Sequence, residues 1–251
     1  MPAFVKDPAV GVSPHWQRDL HDVRPADPLP AADPALRPRY AEHGFVTCSG
    51  LLSADEVAEL DRNVERYRRH IAPRLPRADW VNRGPDGVIR NMYFLERVDP
   101  FFTAYGERAG LLGLVALVTG REPRYLGAET FDKPARTGTP SLPHQDGIYF
   151  EGRTTRLVHI WIPLDTADAT NGALLYWPGS HTRGLLEHRP IDGDPYLGAI
   201  PDETVAALGR PALAAVHPGD AVLHHDRVVH ASNPNRSPAG RRAVALGYTV
   251  T

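Results

Sequence analysis

The stretch PHQDGIYF, residues 143–150, sets an imidazole and a carboxylate two positions apart, at His144 and Asp146. An apolar core wants neither, because burying a charge without a partner is costly, whereas a divalent metal ion wants both. On an extended strand, residues i and i+2 point the same way, about 7 Å apart at Cα, so one ion can meet both side chains. A second His-x-Asp pair stands at His224 and Asp226, so the third ligand decides between them. His230, in VVHASNPN, follows a strand that begins after the HPGD turn. Two histidines and one carboxylate on one face of a metal leave other positions open, the arrangement of non-haem Fe(II) oxygenases. The rival set of His224, Asp226 and His230 would crowd one strand, with about 13 Å to span from Asp226 to His230. The favoured ligands are therefore His144, Asp146 and His230.

An Fe(II) oxygenase needs electrons to reduce O2, and 2-oxoglutarate is the usual source. Its distal carboxylate calls for a fixed cation, best met by the planar fork of an arginine. GRRAVALGYTV offers two, facing opposite ways. Arg241 shares its face with Ala243, Ala245 and Gly247, which leave room for a ligand; Arg242 shares its face with Val244, Leu246 and Tyr248, which pack. Parity selects Arg241, and places Ser232 on the His230 face, where its hydroxyl can meet the same carboxylate. Candidate substrate contacts are Arg90 and Asn91 in VIRNMYFLE, Glu129 on the strand leading to the metal pair, and Tyr149 and Phe150 beside the ligands. Arg90 suits an anionic or carbonyl-bearing group, Glu129 a cationic or hydroxylated one. His181 in WPGSH and His217 before PGD read as loop residues, and Asn171–Gly172 as a hairpin turn.

These residues need a scaffold. Residues 1–36, rich in Pro, Asp and Ala, read as an extended arm, and 37–251 as one domain. A helix is expected over about 51–72, with a Ser53–Glu56 capping box and Val57, Leu60, Val64 and Tyr67 on one face. A second is expected over 108–119, ending near Gly120. From Arg124 onward, short β-rich runs alternate with Gly, Pro and Asn turns: RYLGAETFDK, RLVHIWIPL, GALLYWP, DAVLHHDRVVHAS and RRAVALGYTV. Helices followed by closely spaced strands indicate an α+β, mainly β, fold: an antiparallel sandwich or barrel backed by helices. In RLVHIWIPL, Val158, Ile160, Ile162 and Leu164 face the helices, while His159 and Trp161 face inward, the pattern of a liganded lumen.

Bulk properties narrow the function. With 42% hydrophobic residues the chain can build a sizeable core. A net charge of −2 and no basic stripe argue against nucleic acid. Cys48 is the single cysteine, which excludes an intrachain disulfide and a thiolate zinc site. No apolar run reaches the length of a membrane span. The expectation is a cytoplasmic monomer or homodimer acting on a small molecule.

The segments LPHQDGIYF, NGALLYWPGSH, HPGDAVLHHDRVVHASNPNRS and RRAVALGY, with YAEHGFVTCSGLLSADEVAEL ahead of them, resemble the phytanoyl-CoA dioxygenase family of Fe(II)/2-oxoglutarate oxygenases. The resemblance runs from about Arg39 to the end. It implies a double-stranded β-helix (jelly-roll) fold, iron at His144, Asp146 and His230, a 2-oxoglutarate clamp at Arg241, and Ser232 and Trp161 near that cosubstrate. Halogenating relatives carry a small residue in place of the carboxylate, so Asp146 points to C–H oxidation, with hydroxylation first. The acyl-CoA activity that names the family is not expected, since no basic patch for a CoA phosphate is evident. Two alternatives remain open: a jelly-roll metal enzyme without 2-oxoglutarate, for which Arg241 would be dispensable, and a non-catalytic ligand-binding module.

Overall fold

The alternation of apolar and functional side chains along residues 156–164 organises the molecule. The computed structural model describes residues 23, 26–75, 80–150, 156–191 and 194–251, so most of the expected arm (1–22, 24 and 25) lies outside the described residues. The large sheet comprises β1 (Leu29–Pro30), β2 (Phe45–Ser49), β3 (Val81–Arg83), β4 (Ile89–Met92), β5 (Pro123–Phe131), β7 (Arg156–Pro163), β12 (Ala221–His225) and β14 (Ala243–Val250). Its spatial order is β1-β2-β12-β7-β14-β5-β4-β3. The small sheet, ordered β11-β8-β13-β6, comprises β6 (Ser141–His144), β8 (Leu174–Tyr176), β11 (Ala212–Ala214) and β13 (His230–Ser232). β9 (Arg189–Ile191) and β10 (Asp194–Ala199) form a separate pair. The two larger sheets face each other as a jelly roll, the expected fold.

The outer face of the large sheet packs under α1 (Leu36–His43), α2 (Ala54–Arg66), α3 (Pro100–Gly106) and α4 (Ala109–Thr119). Val158, Ile160, Ile162 and Leu164 join Leu60, Val64, Tyr67, Leu114 and Val118 in this core, as parity requires. The Ser53–Glu56 capping box forms, and α2 continues into a π-helical turn over Tyr67–Ile71. α4 stops at Gly120, whose φ of 67° closes it in a left-handed cap. α5 (Asp202–Ala206) covers the outer face of the small sheet, where Val205 meets Trp177, Val229 and Ala231. Between the sheets, Phe45, Trp161, Val222 and Ala245 meet Leu174 and Tyr176.

Three expectations shift. The described end of the arm is bound into the fold: Leu29–Pro30 pairs with Cys48 and Ser49, and fully buried Leu36 opens α1. DAVLHHDRVVHAS is two strands in different sheets, β12 and β13, because the chain turns at Asp226–Val228. Arg242 faces the helices as expected, but it makes ion pairs there as well as packing. Its Nε and Nη2 each lie 2.9 Å from the Asp165 carboxylate, and its Nη1 lies 2.7 Å from Asp61 on α2. Among the described residues, no single helix is long and apolar enough to cross a membrane.

Candidate metal centre

Register sets two rows of side chains face to face. In the small sheet His144, His230 and Tyr176 are direct neighbours across β6, β13 and β8. In the large sheet Phe45, His224 and His159 are direct neighbours across β2, β12 and β7. The Asp146 carboxylate reaches both rows. Its Oδ1 lies 3.6 Å from His144 Nε2 and 3.5 Å from His230 Nε2, and ligand atoms of the three residues all fall within 4.8 Å of one another. His144 Nδ1 is 2.7 Å from the Leu142 carbonyl and His230 Nδ1 is 3.1 Å from the Val228 carbonyl. Each ring therefore donates through Nδ1 and turns the Nε2 lone pair inward, the tautomer a metal requires. Burial, aided by the His144 and His224 imidazoles and opposed by Asp146, pushes His230 down to about 3, which keeps it neutral.

Asp146 does not sit on a strand, contrary to expectation. β6 ends at His144, and Asp146 opens a 3-10 turn running to Phe150. The residue between them sets the geometry. Gln145 is fully buried; its Nε2 donates to the carbonyls of Gly184 (2.9 Å) and Arg227 (2.6 Å), and its Oε1 accepts from Leu186 N–H (2.7 Å). Its own N–H donates to His188 Nε2 at 2.9 Å. Sequence reasoning passed over Gln145, for which the only signal was its place between two ligand candidates. The turn is also tied to Asp226, whose carbonyl accepts from Gly147 N–H at 2.8 Å. The Asp226 carboxylate lies 2.7 Å from His225 Nδ1, so the rival set of His224, Asp226 and His230 is not assembled.

His224 enters from another direction. Its Nε2 lies 3.0 Å, and His159 Nδ1 3.1 Å, from Asp146 Oδ2, forming a second cluster on the same carboxylate. Inward parity marked His159, but its role was not foreseen. Burial alone would raise the Asp146 carboxyl; the surrounding histidines, His230 and His159 foremost, hold it well below the usual range.

Arg241 lies on the inward face beside Trp161, as parity requires. It is almost fully buried; Nη1 donates to the Phe131 carbonyl at 2.8 Å, Nη2 to Gly172 at 3.3 Å, and Nε is left without a partner. Its guanidinium carbon stands 5.2 Å from the Trp161 ring centre. Buried Ser232 sits two residues beyond His230 on β13. Gly172 has φ 88°, and a Cβ there would come within 2.6 Å of the Lys133 side chain, so glycine keeps this carbonyl in reach. Lys133 is also buried, its ammonium donating to the Thr139 carbonyl; burial and the Arg241 charge pull it well below the usual lysine range. Among the described residues neither cation forms an ion pair, since neighbouring Asp132 pairs with Arg68. An orphaned N–H on a buried guanidinium that no acid neutralises fits an incoming carboxylate, the group 2-oxoglutarate would bring.

Of the candidate substrate contacts, Glu129 stands in register with Ala245, which in turn neighbours Trp161. Burial pushes its carboxyl up to about 7, against the pull of His159. Tyr149 is 40% exposed with its ring 6.4 Å from that of His144, and Phe150 closes the same turn. Asn91 pairs in register with Phe131. Arg90 does not join the group: its Nη2 is held by Asp86 at 2.9 Å within its own hairpin.

The Phytanoyl-CoA dioxygenase (PhyH) family model matches residues 40–243. A Stutzerimonas stutzeri protein named as a probable alpha-ketoglutarate-dependent hypophosphite dioxygenase is 31% identical over 222 residues, covering 84% of this chain and 76% of that protein. Phytanoyl-CoA dioxygenase 1 of Oryza sativa subsp. japonica is 28% identical over 172 residues, or 65% of this chain. The matched region is 61% of the rice protein, less than two thirds of its length. The crystal structure of EctD from S. alaskensis with 2-oxoglutarate and 5-hydroxyectoine superposes with a TM-score of 0.73 at 22% identity, covering 91% of this chain and 83% of that one. At that identity the likeness concerns the fold.

Proposed function

The chain belongs to the phytanoyl-CoA dioxygenase family, and from that premise we propose that His144, Asp146 and His230 hold the iron of a 2-oxoglutarate-dependent oxygenase, with Arg241 anchoring the cosubstrate. The enzyme is a non-haem Fe(II) oxygenase that consumes 2-oxoglutarate and O2. The observation that carries the residue assignment is the sorting of the histidine tautomers: both Nδ1 atoms are committed to carbonyls, leaving two Nε2 lone pairs beside one carboxylate oxygen.

When bound, iron with 2-oxoglutarate and O2 supplies the oxidising power to attack a C–H bond, with succinate and CO2 as by-products. The protein's part is to bind, orient and keep the site dry. Arg241 offers its free Nε–H to the distal carboxylate, Ser232 adds a hydroxyl from the same side, and Trp161 forms the apolar wall against which the guanidinium is held. Glu129 faces the substrate. A carboxyl pushed up to about 7 by burial gains from a cationic nitrogen or a hydroxyl donor, so a small molecule carrying such a group near the oxidised carbon is the proposed substrate, with hydroxylation the proposed outcome. Tyr149 and Phe150 line the approach. A cytoplasmic setting belongs to the same proposal.

The test is an anaerobic titration of the apoprotein with Fe(II) and then 2-oxoglutarate, following the weak visible charge-transfer band of the chelated cosubstrate. Wild type forms the band; Asp146→Ala loses it with iron binding, and Arg241→Ala requires about 100-fold more 2-oxoglutarate, a loss of about 2.7 kcal/mol. Iron binding without a band in wild type would refute the cosubstrate.

A further inference from the structure

The second pair of histidines on Asp146 is not needed to complete the metal set, and no bulk packing requirement explains it: two imidazoles of the large sheet converge on one carboxylate oxygen. We infer that His159 and His224 are positioning residues for the metal, holding Asp146 Oδ2 so that the carboxylate can offer the ion Oδ1 alone. This rests on the assignment of His144, Asp146 and His230 as ligands.

The direction of each bond follows from its neighbours. Tyr176 is fully buried, and its hydroxyl lies 2.9 Å from His224 Nδ1. A carboxylate only accepts, so the bond from His224 to Asp146 Oδ2 at 3.0 Å places a proton on Nε2 and leaves Nδ1 to accept from the tyrosine hydroxyl. His159, its direct neighbour across β7 and β12, brings Nδ1 to 3.1 Å from the same oxygen. The carboxylate is thus divided: Nε2 of His144 and of His230 gathers at Oδ1, while Oδ2 takes the hydrogen bond from His224 and has His159 Nδ1 beside it.

The division has a chemical consequence. One oxygen from Asp146 and one nitrogen from each of His144 and His230 would occupy one side of a bound ion and leave the other side for further ligands. If Oδ2 swung onto the ion as well, it would take one of the places that cosubstrate and O2 need. The bond from His224, itself fixed by Tyr176, opposes that swing. The sheets divide the labour: the small sheet supplies the metal-binding histidines, and the large sheet supplies the histidines that orient the carboxylate between them.

Four variants of the full chain test this. His224→Phe and His159→Leu remove the donors. His224→Gln and His159→Asn restore one, because the glutamine amide reaches about where Nε2 stood and the asparagine amide about where Nδ1 stood. After chelation and verification of folding by thermal melting, each is titrated anaerobically with Fe(II) by calorimetry, and coordination is read from near-infrared circular dichroism of the bound ion. The expected result is one ion per chain in wild type, about 10- to 100-fold weaker binding in the Phe and Leu variants with an altered ligand-field spectrum, and recovery in Gln and Asn. Folded His224→Phe protein with wild-type affinity and an unchanged spectrum would overturn the inference. So would two ions per wild-type chain with one lost in His224→Phe, which would make the pair a second metal site. Wild type that binds no Fe(II) removes the ligand assignment itself, a failure distinct from both.

Discussion

Gln145 offers the sharpest test of how fold and site are joined. Replacing it with methionine keeps the length and removes the amide. Three backbone groups then lose their side-chain partner: the carbonyls of Gly184 and Arg227 and the N–H of Leu186. At about 1 kcal/mol net for each lost bond, the cost is about 3 kcal/mol. For a domain of this size that is a fall in Tm of about 6–12 °C. The same change should weaken Fe(II) binding, since the bonds that are lost fix the backbone between His144 and Asp146. A control separates the two effects: Leu60→Ala, in the helix-side core, costs about 2–5 kcal/mol without touching the site. Denaturant melts of the apoproteins and anaerobic Fe(II) titrations give both readouts. The reasoning is refuted if Gln145→Met loses less than about 1 kcal/mol, or if its iron affinity falls no further than that of Leu60→Ala.

Two more predictions concern buried titratable groups. Glu129 has an ordinary value of 4.5 and a folded value of about 7, so the unfolded chain ionises first. The stability associated with its protonated form is full below pH 4.5 and is lost as pH rises through 7, by up to about 3 kcal/mol. Urea midpoints of the chelated protein should therefore fall relative to Glu129→Gln across that window, and a constant difference between the two would rule this out. The Cys48 thiol is fully buried and pushed up to about 12 by that burial, so it should react with a disulfide reagent at pH 8 only as fast as the protein unfolds. A rapid phase of one thiol per native chain would contradict the packing of β2.

Much of this architecture is readable because strand parity is a strict rule. The alternation along residues 158–164 separates Val158, Ile160, Ile162 and Leu164 from His159 and Trp161, and the same rule separates Arg241 from Arg242. The capping box at Ser53 and the glycine stop at Gly120 are likewise local chemistry. What escaped depends on distant backbone. Asp146 reads as a strand residue until the Asp226 carbonyl, 80 positions along the numbering, is seen to hold the turn at Gly147. Gln145 has partners at Gly184, Leu186 and Arg227, none of them adjacent in sequence. His224 resembled a rival ligand because the change of sheet between β12 and β13 is invisible in a continuous β-rich run. Arg90 looked free because the Asp86 that holds it lies across a hairpin turn.

The adjacent arginines just ahead of β14 carry a consequence for how the chain finds its native pairing. Arg241 is held in the lumen by carbonyls, while Arg242 reaches the other way to Asp165 and Asp61. If β14 slipped by a single residue, every side chain would change faces. Arg242 would then be driven inside away from both aspartates, and Arg241 would be turned out of its cradle of carbonyls towards the helices. Two like charges side by side thus proofread the strand: a slip costs Arg242 its aspartates and Arg241 its carbonyl partners at once.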